Sequence, residues 1–294
     1  MARIDTLGNF LTDVADAIRE KGGTSEPIQA SDFDTEIANL PSGGGLDWTA
    51  IGYESMPQSI IDGYNYAKQI QNNWDATASL RERFYENYQL SIMPLVDTSI
   101  GGSATDMFNS CRGLISIPLL DFSNVTTLQT TFANCINLDN IPLLNTENVT
   151  NFSSTFSGCT NLKTLATLNT EKVTNFSGTF TSCLKLETAP PFNTSNCTRF
   201  STMYSNCMSL KNVPIYNTSK ASGSNAFTNM FYNCPLLTTQ SLDNILQTCI
   251  NAVAYTSTKT LARLGLVADN YPAETIQSLP HYQAFINAGW TIGY

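Results

Sequence analysis

The stretch TFANCINLDNIPLLNTENVTNFSS (131–154) and its successor TFSGCTNLKTLATLNTEKVTNFSG (155–178) are two copies of one 24-residue sentence. The copy before them is MFNSCRGLISIPLLDFSNVTTLQT (107–130), and the copy after is TFTSCLKLETAPPFNTSNCTRFST (179–202). MYSNCMSLKNVPIYNTSKASGSNAFTN (203–229) follows with three extra residues, then a partial MFYNCPLL (230–237). A degenerate copy, RFYENYQLSIMPLVDTSIGGSATD (83–106), precedes them, with Phe84, Leu90, Pro94 and Asp97 in phase with Phe108, Leu114, Pro118 and Asp121. Cys111, Cys135, Cys159, Cys183 and Cys207 keep the period of 24, and the step to Cys234 is 27. Because Phe227 realigns with Phe200, the insertion is a loop and not a change of phase. A fixed period of this length marks a solenoid, propeller or array.

Within a unit, Val149, Phe152, Phe156 and Cys159 are spaced 3, 4 and 3, which is helical periodicity. The preceding NIPLL is short and extended. Each unit therefore reads as strand, turn and about two helical turns, and the chain as an α/β solenoid. Burying six or seven apolar side chains gives one unit about 10–15 kcal/mol. Ordering its backbone costs about 24–48 kcal/mol. No unit folds alone, so neighbours must stack around a shared core.

Stacking turns sequence columns into ladders. Asp121, Asn145, Asn169, Asn193 and Asn217 are expected to bond main-chain groups at a turn. Thr146, Thr170, Thr194 and Thr218 are expected as helix N-caps. Asp139, Lys163, Glu187 and Lys211 alternate in sign, which favours the register. Pro118, Pro142, Pro190 and Pro214 require a strand of two to four residues, or pairing that skips them. The Cys column is read as reduced and buried, although bridges between adjacent coils are within reach on distance. The polar column Ser116, Asn140, Thr164, Thr188 and Asn212 is the candidate contact face, with solvated surface as its plain alternative. The recurring NVT, NFS, NTS and NCT triplets read as turn chemistry and not as glycosylation sites, since no signal peptide is recognised.

Composition excludes several classes of function. Net charge is −9, which argues against a nucleic-acid groove or binding to an anionic membrane. No apolar run approaches a membrane span. A single histidine, His281, and no cysteine pattern of metal-ligand spacing leave no metal site, no cofactor and no Cys–His or Ser–His–Asp nucleophile to nominate, with paired carboxylates of a glycan hydrolase as the remaining enzymatic alternative.

The flanks differ from the repeats. Residues 1–41 hold eight Asp/Glu against three Lys/Arg. Ile4, Leu7, Leu11, Val14 and Ile18 form one amphipathic stripe, and Phe33 and Ile37 lie on a second short helix. So short a segment cannot bury these stripes alone, which points to self-association or attachment to a partner, unless the hairpin folds back on its own solenoid. Residues 42–45 form a Gly-rich linker and residues 46–82 an N-terminal cap. The solenoid spans 83–240 and a C-terminal cap 241–294, where Leu242, Ile245, Leu246, Cys249 and Val253 read as a helical face. Trp290, Ile292 and Tyr294 are placed to close the last strand edge.

The unit F-x-x-C-x-x-L-x-x-I-P-L-L-N/D-T-x-N-V-T resembles the BspA-like leucine-rich-repeat family, through elements such as Met107–Cys111, Met230–Cys234 and Asn145–Thr150. Ala166 and Ala189 depart from the pattern. The segment VADAIREKGGTSEPIQASDF (14–33) is similar to the opening of structural proteins in tailed-phage tails and baseplates. The resemblance implies a right-handed leucine-rich-repeat-like stack and a non-enzymatic phage protein, tail-fibre or baseplate-associated, that binds the host surface. It would join other virion proteins through residues 1–41, reach a host carbohydrate or protein through the solenoid, and trimerise. It would be made in the host cytoplasm and act outside the cell as part of the virion. A decoration or head-fibre protein without receptor binding, or a bacterial adhesin, are the alternatives. An N-terminal trimerising stalk is expected to give the full chain a light-scattering mass three times its 32.1 kDa, falling to monomer for residues 46–294. Equal, monomeric behaviour of both would rule the stalk out.

Overall fold

The computed structural model describes residues 78–91, 93 and 97–293, together with Tyr66, Gln69, Ile70, Asn73 and Asp75. The N-terminal stripes, with Ile4, Leu7, Leu11, Val14, Ile18, Phe33 and Ile37, lie outside the described residues, as does Tyr294.

The repeats stack as coils in parallel register. Two short strands, β1 (Gly102–Ser103) and β2 (Val125–Thr127), pair in parallel, and single bridges continue the column through Thr127, Asn151, Asn175 and Arg199. Around the prolines the extended segments meet only at isolated bridges among the described residues, such as Thr188 with Asn212 and one at Ser116. The prolines thus interrupt pairing as expected, since they carry no N–H to give.

The segment expected to be helical is not a helix. Its N–H groups alternate between two destinations. Phe152, Ser154, Phe156 and Gly158 donate to carbonyls 23 residues ahead in the next coil, at Asn175, Ser177, Thr179 and Thr181, over 2.7–2.9 Å. Thr155, Ser157 and Cys159 close turns onto residues three back. An α-helix keeps all these bonds inside itself. Here half of them join coils, and the result is a ribbon of turns with a four-residue beat. The beat is visible in the dihedrals. Positive φ falls at Glu82 and Glu86, Asp106 and Ser110, Thr130 and Asn134, Ser154 and Gly158, Gly178 and Ser182, Thr202 and Asn206, and Asn229 and Asn233. Each pair is four residues apart, so every fourth residue faces the same way and Phe152 and Phe156 both point inward.

The inward face is a stack of rings. Phe84, Phe108, Phe132, Phe156, Phe180, Tyr204 and Phe231 lie 5.3–5.8 Å apart, with planes within 16° of parallel. Phe152, Phe176, Phe200 and Phe227 form a second column that meets Tyr255 and Trp290 edge-on. Buried Phe192 adds a further ring between the columns, 5.2 Å from Phe176 and 6.0 Å from Phe180.

Helix α1 (Thr239–Ile250) closes the extended side of the last coil, with Thr238 as its N-cap. Ser241 Oγ accepts from the Val213 N–H and donates to the Lys211 carbonyl. Asn244 and Asn251 donate to the Val213 and Tyr216 carbonyls. Leu242, Ile245, Leu246 and Cys249 are buried, but Val253 is 75 % exposed and outside the expected face. The turn side is closed by a 3-10 turn at Ala262–Leu264, where the Asn229 and Phe231 N–H groups donate to Arg263 and Leu264. The main edge closure is therefore not the Trp290 segment, because that segment pairs with Thr260 through Thr291 and buries Trp290 under the ring column. Two short helices, α2 (Ala273–Gln277) and α3 (Tyr282–Asn287), pack against α1. At the other end Tyr66 and Ile70 pack on the core, and Tyr66 accepts a hydrogen bond from Asn87.

Left-handed backbone costs an L-residue about 1–2 kcal/mol, and most at a β-branched side chain. Thr130 has φ 53°, and its buried hydroxyl has no partner among the described residues. One coil-pair further on, the same column holds Gly178 with φ 66°. Thr130→Gly is expected to stabilise the chain by about 0.5–1 kcal/mol, net of glycine's larger unfolded-state entropy. A thermal melt checks it, and a lower midpoint would refute the account of the strained ribbon.

Candidate functional site

Three columns that carry chemistry in the sequence are occupied by main-chain bonding. The Asn column forms turns as expected: Oδ1 of Asn145, Asn169, Asn193 and Asn217 accepts the N–H two residues on, at 3.1–3.2 Å. Asp97 and Asp121 do the same at 2.9 Å, and hydrogen bonding from the side chains of Ser99 and Ser123, joined by these backbone bonds, holds both carboxyls below the usual aspartate range. The Thr column does not cap helices. Thr98, Thr146, Thr170 and Thr194 donate forward to carbonyls of the next coil at 2.7–3.0 Å, and Thr218 donates to Thr248. With no helix in the unit there is no N-cap to make, and the buried hydroxyl satisfies a carbonyl the turn leaves open.

The cysteines are free and buried. The thiols of Cys111, Cys135, Cys159, Cys183 and Cys207 each donate to a carbonyl 27 residues back, at 2.9–3.1 Å, and Cys234 donates to the Tyr204 carbonyl. Burial pushes Cys111, Cys159, Cys197 and Cys234 up to about 12, and drives Cys135, Cys183 and Cys207 well above the ordinary thiol value. They are poor nucleophiles and poor metal ligands. No cluster of His, Cys, Asp and Glu suited to a metal occurs among the described residues. His281 is engaged by Asp243, whose carboxylate accepts the His281 backbone N–H at 2.9 Å and lies 2.8 Å from ring Nδ1. Of the alternating charges, Glu187 and Lys211 meet at 3.0 Å across an exposed surface, where such a pair contributes little.

What remains is the outer face of the extended segments. Asn140, Thr164, Thr188 and Asn212 are exposed there and Ser116 is half-buried. Asn212 donates to the Thr188 hydroxyl at 3.3 Å. Three residues further along each unit runs a column that the sequence reading missed. It holds Leu119, 63 % exposed, Leu143, 62 %, and Ile215, 50 %, with exposed Thr167 and Pro191 between. Their neighbours Leu120, Leu144 and Tyr216 are buried. The available signal was the pair of adjacent leucines in PLL: two neighbours on an extended chain cannot both face one core. The site is thus a polar column beside an apolar strip, suited to noncovalent contact.

The repeat region matches the family profile described as "Mycoplasma protein of unknown function, DUF285" over residues 102–189 and 126–245. No curated protein matches the chain. Among solved structures, a T. pallidum leucine-rich-repeat protein (TpLRR) aligns at 16 % identity with a TM-score of 0.34, covering 53 % of this chain and 81 % of that one. On the profile match the repeat region is similar to BspA-like repeat proteins.

A disulfide-exchange reagent at pH 8 is expected to titrate none of the eight native thiols within minutes, and all eight in denaturant. With a pKa near 12, only about one thiol in 10⁴ is ionised at that pH. Rapid reaction of the native protein would show an open Cys column.

Proposed function

We propose that this chain is a phage virion protein, tail-fibre or baseplate-associated, whose solenoid binds a receptor on the host surface without catalysis. The observation that carries the reading is the exposed strip Leu119, Leu143 and Ile215 beside the polar column Asn140, Thr164, Thr188 and Asn212. Folding does not use these side chains, and an aligned apolar strip rimmed by polar groups is the usual form of an interaction surface. Amide and hydroxyl groups add hydrogen bonds to a carbohydrate or protein receptor. The phage setting is supported by the resemblance of residues 14–33 to tail and baseplate proteins. On this reading residues 1–41 join the virion as a trimer and the solenoid faces outward.

The test is adsorption of labelled full-length chain to a panel of bacterial envelope preparations. Saturable binding is expected with at least one of them. The double variant Leu119→Ser and Leu143→Ser is expected to weaken it at least tenfold while leaving the thermal midpoint nearly unchanged, because both side chains are exposed. Absence of adsorption to every envelope, with tight incorporation into particles, would replace this reading with that of a structural decoration protein. Adsorption unaffected by the double variant would move the contact off this face.

A further inference from the structure

The three-residue insertion has no role in the core, yet it is held firmly and it shapes a cleft. In other coils the main-chain ladder advances by 23 residues, as from Phe176 N–H to the Arg199 carbonyl. After Thr198 it jumps. Ser222 donates to Thr198, whereas Phe200 donates to Ala226, so Gly223, Ser224 and Asn225 bulge out between them. Gly223 has φ 85°, which frees the chain to turn out. Arg263 pins the bulge from the C-terminal cap, its Nη2 donating to the Ser224 carbonyl at 2.6 Å and to Asn225 Oδ1 at 3.1 Å.

The bulge and the preceding coil enclose an open cleft of about 430 Å³, lined chiefly by Thr198, Arg199, Ser201, Ser222, Ser224 and Asn225. That volume lies within the usual range for small-molecule sites, about 300–1,000 Å³. The Arg199 guanidinium is exposed and makes no ion pair among the described residues. The hydroxyls of Ser222 and Ser224 are likewise exposed and uncommitted. Between Glu187 and Asp243 there is no acidic residue, while Arg199, Lys211 and Lys220 lie within that stretch. In a chain of net charge −9, residues 188–242 thus hold three basic side chains and no acidic one, although Lys211 is paired with Glu187 and Lys220 donates to Asn196.

We infer that this cleft binds the carboxylate of an acidic sugar, with Arg199 gripping the carboxylate and Ser222, Ser224 and Asn225 bonding ring hydroxyls. One planar guanidinium matches one carboxylate in bidentate fashion. The hydroxyl and amide lining can both donate to and accept from sugar hydroxyls. No aromatic ring lines the cleft, so the ligand is held by charge and hydrogen bonds and not by stacking. The site stands ten positions further along the unit than the Thr188 column, and it does not depend on the function proposed for that face.

Ligand-observed NMR on the full chain tests it, with glucuronate, galacturonate and N-acetylneuraminate as probes and glucose, galactose and inorganic phosphate as controls. At least one acidic sugar is expected to bind, at least tenfold more tightly than its neutral counterpart. Arg199→Ala is expected to weaken it at least tenfold and Ser224→Ala by a smaller factor. Arg199 is exposed, so a thermal melt of its variant should match the parent and exclude misfolding. Binding to none of the three acidic sugars would overturn the inference. So would binding indifferent to Arg199→Ala, or phosphate competing as well as the acidic sugar, which would make the cleft a general anion site.

Discussion

The solenoid depends on one hydrogen bond repeated many times, from an N–H of one coil to the carbonyl 23 residues ahead. Every second residue of the turn ribbon makes it, and the residues between close their own turns. This division lets a chain with strands of two or three residues hold a parallel register across its length. It also fixes the backbone. Four-residue turns with one left-handed residue in each can point alternate N–H groups along the stack, whereas an α-helix cannot. The left-handed positions are mostly Asn, Asp, Ser and Thr, with glycine at Gly158 and Gly178. Their conformational cost is offset by coil-to-coil bonding and by the ring stack, both of which exist only when neighbours are in place.

The columns then follow as a division of labour among carbonyls and N–H groups that the ribbon leaves over. Cysteine thiols reach back to carbonyls of the preceding coil, and buried threonines reach forward to the next. Asn148 and Asn196 donate back across the stack to Ser123 and Glu171, and Lys172 and Lys220 donate to those same asparagines. The ring of Phe192 stacks on Phe176, and the buried hydroxyl of Tyr216 donates to the Pro190 carbonyl.

Much of this was legible in the sequence. The period, the buried cysteines, the Asn turns and the loop nature of the insertion follow from spacing and side-chain chemistry. The helix did not hold because the 3–4–3 spacing of Val149, Phe152, Phe156 and Cys159 fits an α-helix and a four-residue turn ribbon equally well, and only the destination of the N–H groups separates them. The Thr caps failed with it. On the candidate face, the polar column Asn140 to Asn212 was readable from the period, while Leu119, Leu143 and Ile215 were hidden by the assumption that leucine in a repeat faces inward. The Arg199 cleft was not readable, since it joins residues from two coils and a bulge whose shape is set by Arg263, 38 residues from Asn225.

The same ladder gives the molecule a particular mechanical character. Its coils lie side by side, and each holds the next through a short row of parallel bonds together with the ring contact. A tensile load carried by the chain ends would not be shared by the whole core at once. It would strip the outermost coil first and leave the coil beneath as a new, similar edge. Each coil released adds about 80 Å of slack, at roughly 3.4 Å per extended residue. A protein that holds a particle against a moving surface would thereby lengthen in steps and absorb the pull before the attachment at either end gives way.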